Sequence, residues 1–447
     1  MAPKYLIETA GCQMNVHDSE RMAGLLEQAG YESTPDAGDA DILVVNTCSV
    51  RERAEDKLYT RLGELRVMEK KVGSRPIVVV AGCVAQQEGA ALFKNTNGHV
   101  IDVVLGTQQV KALPALAIQA ARSSTVPSVA IDPWDDVSFP LGVARRSDPV
   151  RAYVTIIEGC NDHCAFCVVP HTRGAERMRL PQDILDEVRD AVDSGRKEIH
   201  LLGQIVNHYQ SREDPSYDFS RLLESVNAIP GVARIRFASP HPRHTGPRLI
   251  AAIRDLEAVC KHVHLPVQSG STAVLKAMRR RHSREDYLRL VDSLRQAIPN
   301  VTLSTDMIVG FPGETKDDFD ETLSLTREVR FSSMFSFKYS VRPHTTAARD
   351  LRDSVEEEEK TARIVELQAL QRGIQSHLHE ELVGATVEVL TDAVSRRRRT
   401  ELSGRTSGNT VVNFPGREDR IGEFAQVTVK RAGPYSVWGE AHGEPVE

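Results

Sequence analysis

The sequence predicts a mixed α/β protein built as an N-terminal doubly wound parallel sheet, a central incomplete (β/α)6 barrel and a small C-terminal β-barrel. Three observations carry this. Short apolar strand patterns alternate with amphipathic helical patterns over residues 1–120. The alternation resumes in longer units over 150–375. The last part, 376–447, runs from the end of a long helix into strand patterns with no helix between them.

In the first part, Lys4–Glu8, Asp41–Val45, Ile77–Val80 and Val100–Leu105 read as strands. Between them Ser19–Ala29 sets Met22, Leu25, Leu26 and Ala29 on one helical face. Residues 121–149, which include the Pro- and Asp-bearing stretch Ile131–Pro149, read as a linker. In the middle part the strand patterns are Tyr153–Ile157, Glu198–Leu202, Arg234–Ala238, His262–Val267, Thr302–Val309 and Ser333–Tyr339. Six parallel βα units make an incomplete barrel, because a full one takes eight. A capping pattern at Ser283 and Asp286 opens a helix over Ser283–Ala297. A long helix, Val355–Leu382, leads out of the barrel. Thr386–Leu390, Glu401–Gly404, Val411–Phe414, Ala425–Lys430 and Ser436–Gly439 then follow as short strands, the pattern of a small OB-like barrel of the kind that grips RNA.

Composition excludes several classes. Forty per cent apolar and 26% charged residues is globular rather than disordered composition. The balance of 56 Lys+Arg against 62 Asp+Glu, net −6, excludes a broadly basic polyanion binder, so any RNA-facing surface must be local. No apolar run approaches a membrane span, and the start carries no secretory h-region, so a cytoplasmic protein without a membrane partner is expected.

The seven cysteines are the most informative residues. An odd number without an export signal is a poor disulfide framework and points to metal binding or chemistry. Cys160, Cys164 and Cys167 follow the first strand of the middle part at Cys-x3-Cys-x2-Cys spacing. Three thiolates so close can converge on a soft metal centre. Structural zinc takes four protein ligands, so a zinc site would have to recruit His163. Three cysteines on a four-iron cluster instead leave one iron open for a cofactor. Cys12, Cys48 and Cys83 each fall just past the carboxyl end of a different predicted strand, and in a doubly wound sheet those ends share the ligand-binding edge. They are expected to form a second three-thiolate site. Cys260, late in a helical pattern and without a partner, reads as a small core side chain.

Motifs around these cysteines extend the argument. Thr9-Ala-Gly-Cys-Gln-Met-Asn15, Val45-Asn-Thr-Cys-Ser-Val-Arg51, Ala81-Gly-Cys-Val-Ala-Gln86 and Glu158-Gly-Cys-Asn-Asp-His-Cys-Ala-Phe-Cys-Val-Val-Pro-His-Thr-Arg-Gly174 together resemble the radical S-adenosylmethionine (SAM) methylthiotransferases. The resemblance covers essentially the whole chain and identifies the terminal barrel as a TRAM domain. It implies two 4Fe-4S clusters and SAM as cofactors. Cys160, Cys164 and Cys167 would hold the cluster that generates the 5′-deoxyadenosyl radical, and Cys12, Cys48 and Cys83 the auxiliary cluster that delivers sulfur. It also implies SAM contacts for Phe166 and Gln204; loop packing and buried-polar packing are their alternatives.

Three substrates compete within the family: N6-isopentenyladenosine or N6-threonylcarbamoyladenosine beside the tRNA anticodon, or a ribosomal-protein aspartate. Val168–Gly174, Leu202–Asn207 and Gly404–Phe414 share most with the isopentenyladenosine branch. Ile205, Met178–Leu180 and Val341–Thr346 depart from that branch's usual residues. The expected partners are a tRNA carrying N6-isopentenyladenosine and a reductant such as flavodoxin or ferredoxin, and a monomer is expected. In the terminal barrel, Arg396–Arg399, Arg405 and Lys430-Arg431 are candidates for phosphate contacts, with Phe414, Tyr435 and Trp438 as stacking candidates. Gly310-Phe-Pro-Gly-Glu-Thr315 could offer backbone N–H groups to a ligand.

Overall fold

The computed structural model describes residues 2–49, 52–72, 75–95, 100–122, 127–133 and 142–442. They fall into two compact units: residues 1–147, 153–162 and 167–179 in the first, and 148–152, 163–166 and 180–447 in the second.

The first unit is built on β1 (Lys4–Ala10), β2 (Glu32–Ser33), β3 (Ile42–Thr47), β4 (Ile77–Gly82), β5 (Val103–Leu105) and β6 (Ser128–Ala130). They form one parallel sheet in the order β2-β1-β3-β4-β5-β6. Its helices are α1 (Gln13–Gln28), α2 (Glu52–Val72), α3 (Cys83–Glu88), α4 (Ala91–Asn95) and α5 (Leu113–Arg122). Strand alternation sends Leu43, Val45, Val78 and Val80 to one face, against Leu58, Leu62 and Leu65 of α2. Ile42, Val44, Val79 and Val103 go to the other, against Met22 and Leu26 of α1 and Leu113 and Ala117 of α5. Burial on both faces explains why β3 and β4 read as continuous apolar runs. Two strands leave no signal in the sequence. β2 is a two-residue polar edge, and β6 lies within the stretch expected to be a linker. Residues 123–126 and 134–141 of that stretch lie outside the described residues.

β7 (Arg151–Thr155) leads into β8 (Ile157–Glu158), α6 (Val169–Thr172) and β9 (Arg177–Met178). In the second unit follow α7 (Pro181–Asp193), β10 (Glu198–Leu202), α8 (Phe219–Asn227), β11 (Arg234–Phe237), α9 (Pro247–Asp255), β12 (His262–His264), α10 (Thr272–Ala277), α11 (Arg284–Ala297), β13 (Thr302–Val309), α12 (Lys316–Val329), β14 (Ser333–Lys338), α13 (Thr346–Asp350) and α14 (Glu357–Glu380). The strands form two parallel sheets, β7-β10-β11 and β12-β13-β14. A parallel bridge, Ile235 to Val259, and the Cys260 N–H given to Ile235 O carry the pairing from one sheet toward the other. Strand order thus follows chain order, the arrangement of a partial barrel. Ser283 caps α11 with its side chain and Asp286 bonds back, the reciprocal box that its sequence announced. Cys260 is buried but lies in the turn after α9, not in a helix as expected.

The chain ends in a closed barrel, β15 (Thr386–Val394), β16 (Glu401–Arg405), β17 (Val411–Pro415), β18 (Phe424–Ala432) and β19 (Val437–Ala441), in the order β15-β16-β17-β19-β18. Val389, Leu402, Val412, Phe414, Val427, Val429 and Val437 fill it. The β16–β17 turn docks on the amino ends of the barrel strands. Arg236 donates to Thr406 O at 2.8 Å, Lys261 N to Ser407 Oγ at 2.9 Å and Thr302 Oγ1 to Gly408 O at 2.7 Å. Arg236 also pairs with Glu198 at 2.9 Å. Burial works against the Glu198 carboxylate, yet Arg236 and a hydrogen bond to His200 hold its pKa well below the usual range. The Gly404–Phe414 motif therefore fixes the small barrel to the large one.

Candidate active site

The three N-terminal cysteines lie together at the carboxyl edge of the first unit's sheet. Cys12 is the N-cap of α1, Cys48 directly follows β3 and Cys83 opens α3 directly after β4. Cys48 is hydrogen-bonded to both Cys12 and Cys83. Gly11 and Gly82 precede two of these cysteines because a side chain would not fit. A Cβ on Gly11 would stand 2.9 Å from Cys48 Cβ, and one on Gly82 2.6 Å from Thr47 O. Gly82 moreover has φ +92, open to glycine alone without strain. Asn15 and Asn46 tie two of the loops together. Asn46 Nδ2 donates to Asn15 O at 2.8 Å and to Ser19 Oγ at 2.9 Å, and Asn15 Oδ1 accepts the Cys12 N–H at 3.2 Å.

Electrostatics divides the three thiols. A hydrogen bond from Cys48 lowers Cys12 to about 6 and Cys83 to about 7, against the cost of burial and with help from the Arg173 charge. Cys48 is pushed up, chiefly by those same hydrogen bonds. Helix N-termini at Cys12 and Cys83 act in the same direction as Arg173. Arg173 is itself buried and paired with Asp18 at 2.7 Å. Thr47 Oγ1 and Ser49 Oγ, on either side of Cys48, are buried with no hydrogen-bond partner among the described residues. Clustered soft thiolates, a fixed cation and unmet hydroxyls fit an anionic sulfur-rich group. Val50 and Arg51 of the second cysteine motif lie outside the described residues.

In the Cys160–Cys167 loop, Cys160 and Cys164 are buried and Cys167 half-buried. Cys160 N donates to Gly174 O at 3.1 Å. Gly159 has φ +78, and a Cβ there would strike Ala175 O at 2.1 Å. Ala165 is clamped on both sides, its N–H to Met278 O at 2.9 Å and its O to the Ala347 N–H at 2.7 Å. Arg280 Nη1 donates to Cys164 Sγ at 3.5 Å. His163 is exposed and offers no buried fourth ligand. Among the described residues no three His, Cys, Asp or Glu side chains converge on one shared metal ion, whereas the cysteines of a four-iron cluster each bind a different iron.

Phe166 packs partly buried against Ala165, Val274, Met278, Phe311, Tyr339 and Ala347. Gln204, just past β10, has a buried Oε1 with no partner among the described residues, an acceptor left for a ligand. The Gly310–Thr315 turn is different. Its N–H groups are already taken, Gly310 by Glu314 Oε1 at 2.8 Å and Gly313 by Ser354 Oγ at 3.0 Å, so they are not offered outward as expected. Glu314 in turn pairs with buried Arg363 at 2.7 Å.

On the small barrel, Arg396–Arg399 form the exposed β15–β16 turn. Arg398 pairs with Glu401, which also accepts the Trp438 Nε1–H at 3.0 Å, and Arg431 lies 4.2 Å over the Trp438 ring. Two RNA candidates are corrected. Phe414 belongs to the barrel core, and Arg405 is half-buried, its guanidinium already engaged by Asp392 and Asn409. Tyr435 is exposed. Replacing Arg396–Arg399 together by Gln should weaken tRNA binding and flatten its salt dependence. About three to three and a half units of log–log slope should be lost if each arginine meets one phosphate, at roughly 0.7–0.9 per contact. Electrophoretic or filter binding from low to high salt measures this, and an unchanged slope would remove the turn from the RNA face.

Among the described residues no helix is long and apolar enough to cross a membrane. Known families match in three blocks: uncharacterized protein family UPF0004 over residues 4–106, the radical SAM superfamily over 154–326 and the TRAM domain over 380–442. A tRNA-2-methylthio-N(6)-dimethylallyladenosine synthase of Clostridium novyi (strain NT) is 42% identical over 440 residues, covering 98% of this chain and 96% of its own. A protein of the same name from Geobacter metallireducens is 43% identical over 437 residues, with 97% of each chain covered. Among solved structures, the radical SAM methyltransferase TsrM of Kitasatospora setae, with cobalamin and a [4Fe-4S] cluster bound, shares the fold at TM-score 0.55. Identity there is 15%, covering 78% of this chain and 77% of that one.

Proposed function

The chain belongs to the tRNA-2-methylthio-N6-dimethylallyladenosine synthase family of radical SAM enzymes, and from that premise we infer that it transfers a methylthio group to carbon 2 of N6-isopentenyladenosine at position 37 of tRNA. One SAM supplies the methyl group and a second is cleaved. The observation that carries the reading to this chain's own residues is the meeting of Cys12, Cys48 and Cys83 from three separate strand ends, in a chain that also has a Cys-x3-Cys-x2-Cys loop.

Carbon 2 of the adenine ring bears an unactivated C–H bond, which acid–base side chains cannot open, so the reactivity must come from a cofactor. A 4Fe-4S cluster with SAM supplies, when bound, a radical able to take that hydrogen. Cys160, Cys164 and Cys167 would hold it, with Gln204 Oε1 free to accept a hydrogen bond from the SAM amino group and Phe166 placed beside the adenine. Cys12, Cys48 and Cys83 would hold a second 4Fe-4S cluster. Buried Arg173 would balance the negative charge of the three thiolates. Electrons would come from a flavodoxin- or ferredoxin-type protein, and the chain would act as a monomer.

Mass spectrometry of tRNA nucleosides from a strain lacking the protein tests the activity. The methylthio form should vanish and N6-isopentenyladenosine accumulate, and complementation should restore both; unchanged nucleosides would sink the reading. The two-cluster assignment is tested by metal analysis. Anaerobically prepared protein should carry about eight iron and eight sulfide, and Cys160→Ala/Cys164→Ala/Cys167→Ala about half as much, at four per cluster. Zinc without iron, even after reconstitution, would exclude the assignment.

A further inference from the structure

We propose that Arg280 is a positioning residue for the radical-generating site: its guanidinium is the counter-charge of the Cys164 sulfur, and it raises the reduction potential of the cluster that this cysteine holds. The proposal rests on the reading of Cys160, Cys164 and Cys167 as cluster ligands.

Arg280 is buried. Nη1 donates to Cys164 Sγ at 3.5 Å and Nη2 to Pro266 O at 3.0 Å, while Nε has no partner. No carboxylate pairs with it among the described residues. The nearby His241 ring adds no second positive charge, because its ionisation is suppressed chiefly by burial and then by Arg280 itself. Burying a guanidinium without a carboxylate is strongly unfavourable unless an anion compensates it. Among the described residues the one candidate counter-charge in hydrogen-bond reach is the Cys164 sulfur, as a ligand of a negatively charged cluster.

The backbone shows that this placement is held against resistance. Arg279 and Arg281, on either side, have φ of 59 and 57, the left-handed region that non-glycine residues avoid. Such strain persists only where the surroundings enforce it. The enforcing contacts are local. Arg280 N donates to Leu275 O at 2.9 Å, and Met278 O accepts from Ala165, the residue after Cys164. One turn therefore grips the cysteine loop by its backbone and the cysteine by its sulfur. A fixed cation favours the more negative, reduced state of a nearby centre, and an N–H to sulfur bond acts in the same direction.

The test uses the full chain carrying Cys12→Ala/Cys48→Ala/Cys83→Ala, so that one cluster remains and its signal is unmixed. Iron is counted and the midpoint is measured by EPR-monitored redox titration without SAM, followed by titration with SAM. Arg280→Gln should keep about four iron and make reduction about tenfold less favourable, a fall of about 59 mV for a one-electron couple. Arg280→Lys, which keeps the charge but not the fork, should recover most of that shift. If Arg280→Gln cannot hold iron, Arg280→Lys decides, with a smaller fall expected. An unchanged SAM-free midpoint, or weakened SAM binding alone, would overturn the proposal and assign Arg280 to the bound cofactor. Absence of iron in the parent chain with Arg280 intact would instead count against the cluster reading itself.

Discussion

Cys48→Ala should abolish methylthiolation of tRNA while leaving the cleavage of SAM to 5′-deoxyadenosine in place. Cys48 is the thiol to which both Cys12 and Cys83 are hydrogen-bonded, and it is fully enclosed, so nothing can replace it. Residues that merely orient metal ligands cost about 10–100-fold when changed, and loss of a ligand should exceed that. The Cys160–Cys167 loop has its own anchors, Gly174 and Met278, neither of which depends on Cys48. Cys164→Ala should therefore eliminate both activities. Cys260→Ala should keep both, with a stability loss on the order of 1 kcal/mol from the vacancy. Chromatographic measurement of 5′-deoxyadenosine and methylthio-nucleoside in the same reactions separates these outcomes. Full product formation by Cys48→Ala would remove the auxiliary site from the chemistry, whatever its metal content.

Most of the architecture is legible in the chain because burial leaves periodic marks. β10 and β13 have the boundaries that their apolar patterns predict, and α11 starts at its capping box. The cysteine positions are legible because strand ends in a parallel sheet share an edge, so sequence alone brings Cys12, Cys48 and Cys83 together. What stays hidden has physical causes too. β2 is two polar residues and β6 only three residues long, too short to show a period. The polar run His17–Arg21 on α1 is buried, with His17 bonded to Thr155 at 2.8 Å, Asp18 to Arg173 and Arg21 to Glu158 at 3.3 Å. Each partner lies more than a hundred residues away in sequence, and no local pattern encodes such pairs. Asn15, Asn46 and Arg173 are visible in the sequence only as letters within motifs. Their work, tying loops and balancing charge, needs the third dimension. The same holds for Arg405, whose neighbour Asp392 no charge count could reveal.

A tRNA bearing N6-isopentenyladenosine beside the anticodon should be converted far better than the same tRNA with unmodified adenosine. The barrel has apolar surface to offer that group. On β14, Ser336 faces α14, accepting a hydrogen bond from Gln368 at 3.0 Å, so alternation turns Phe335 to the opposite face of the strand. Phe335 is 52% exposed there, opposite Asp306 in the register and edge-on to the His264 ring at 6.1 Å. An aromatic on the strand face turned away from the covering helix can add apolar contact to a bound group. The isopentenyl group brings about five carbons, and at about 0.8 kcal/mol per methylene its partial to full burial contributes about 2–4 kcal/mol. That corresponds to roughly 30- to 700-fold in kcat/KM, before any loss from misplacing carbon 2. Phe335→Ala should shrink the preference while leaving SAM cleavage intact. The measurement is methylthiolation of three matched tRNAs carrying isopentenyl, threonylcarbamoyl or no group on that adenosine. Preference for the threonylcarbamoyl form would show that the pocket reads a charged substituent and would move the chain's substrate to the sister branch. Equal conversion of all three would place selectivity in the RNA backbone contacts instead of in the barrel.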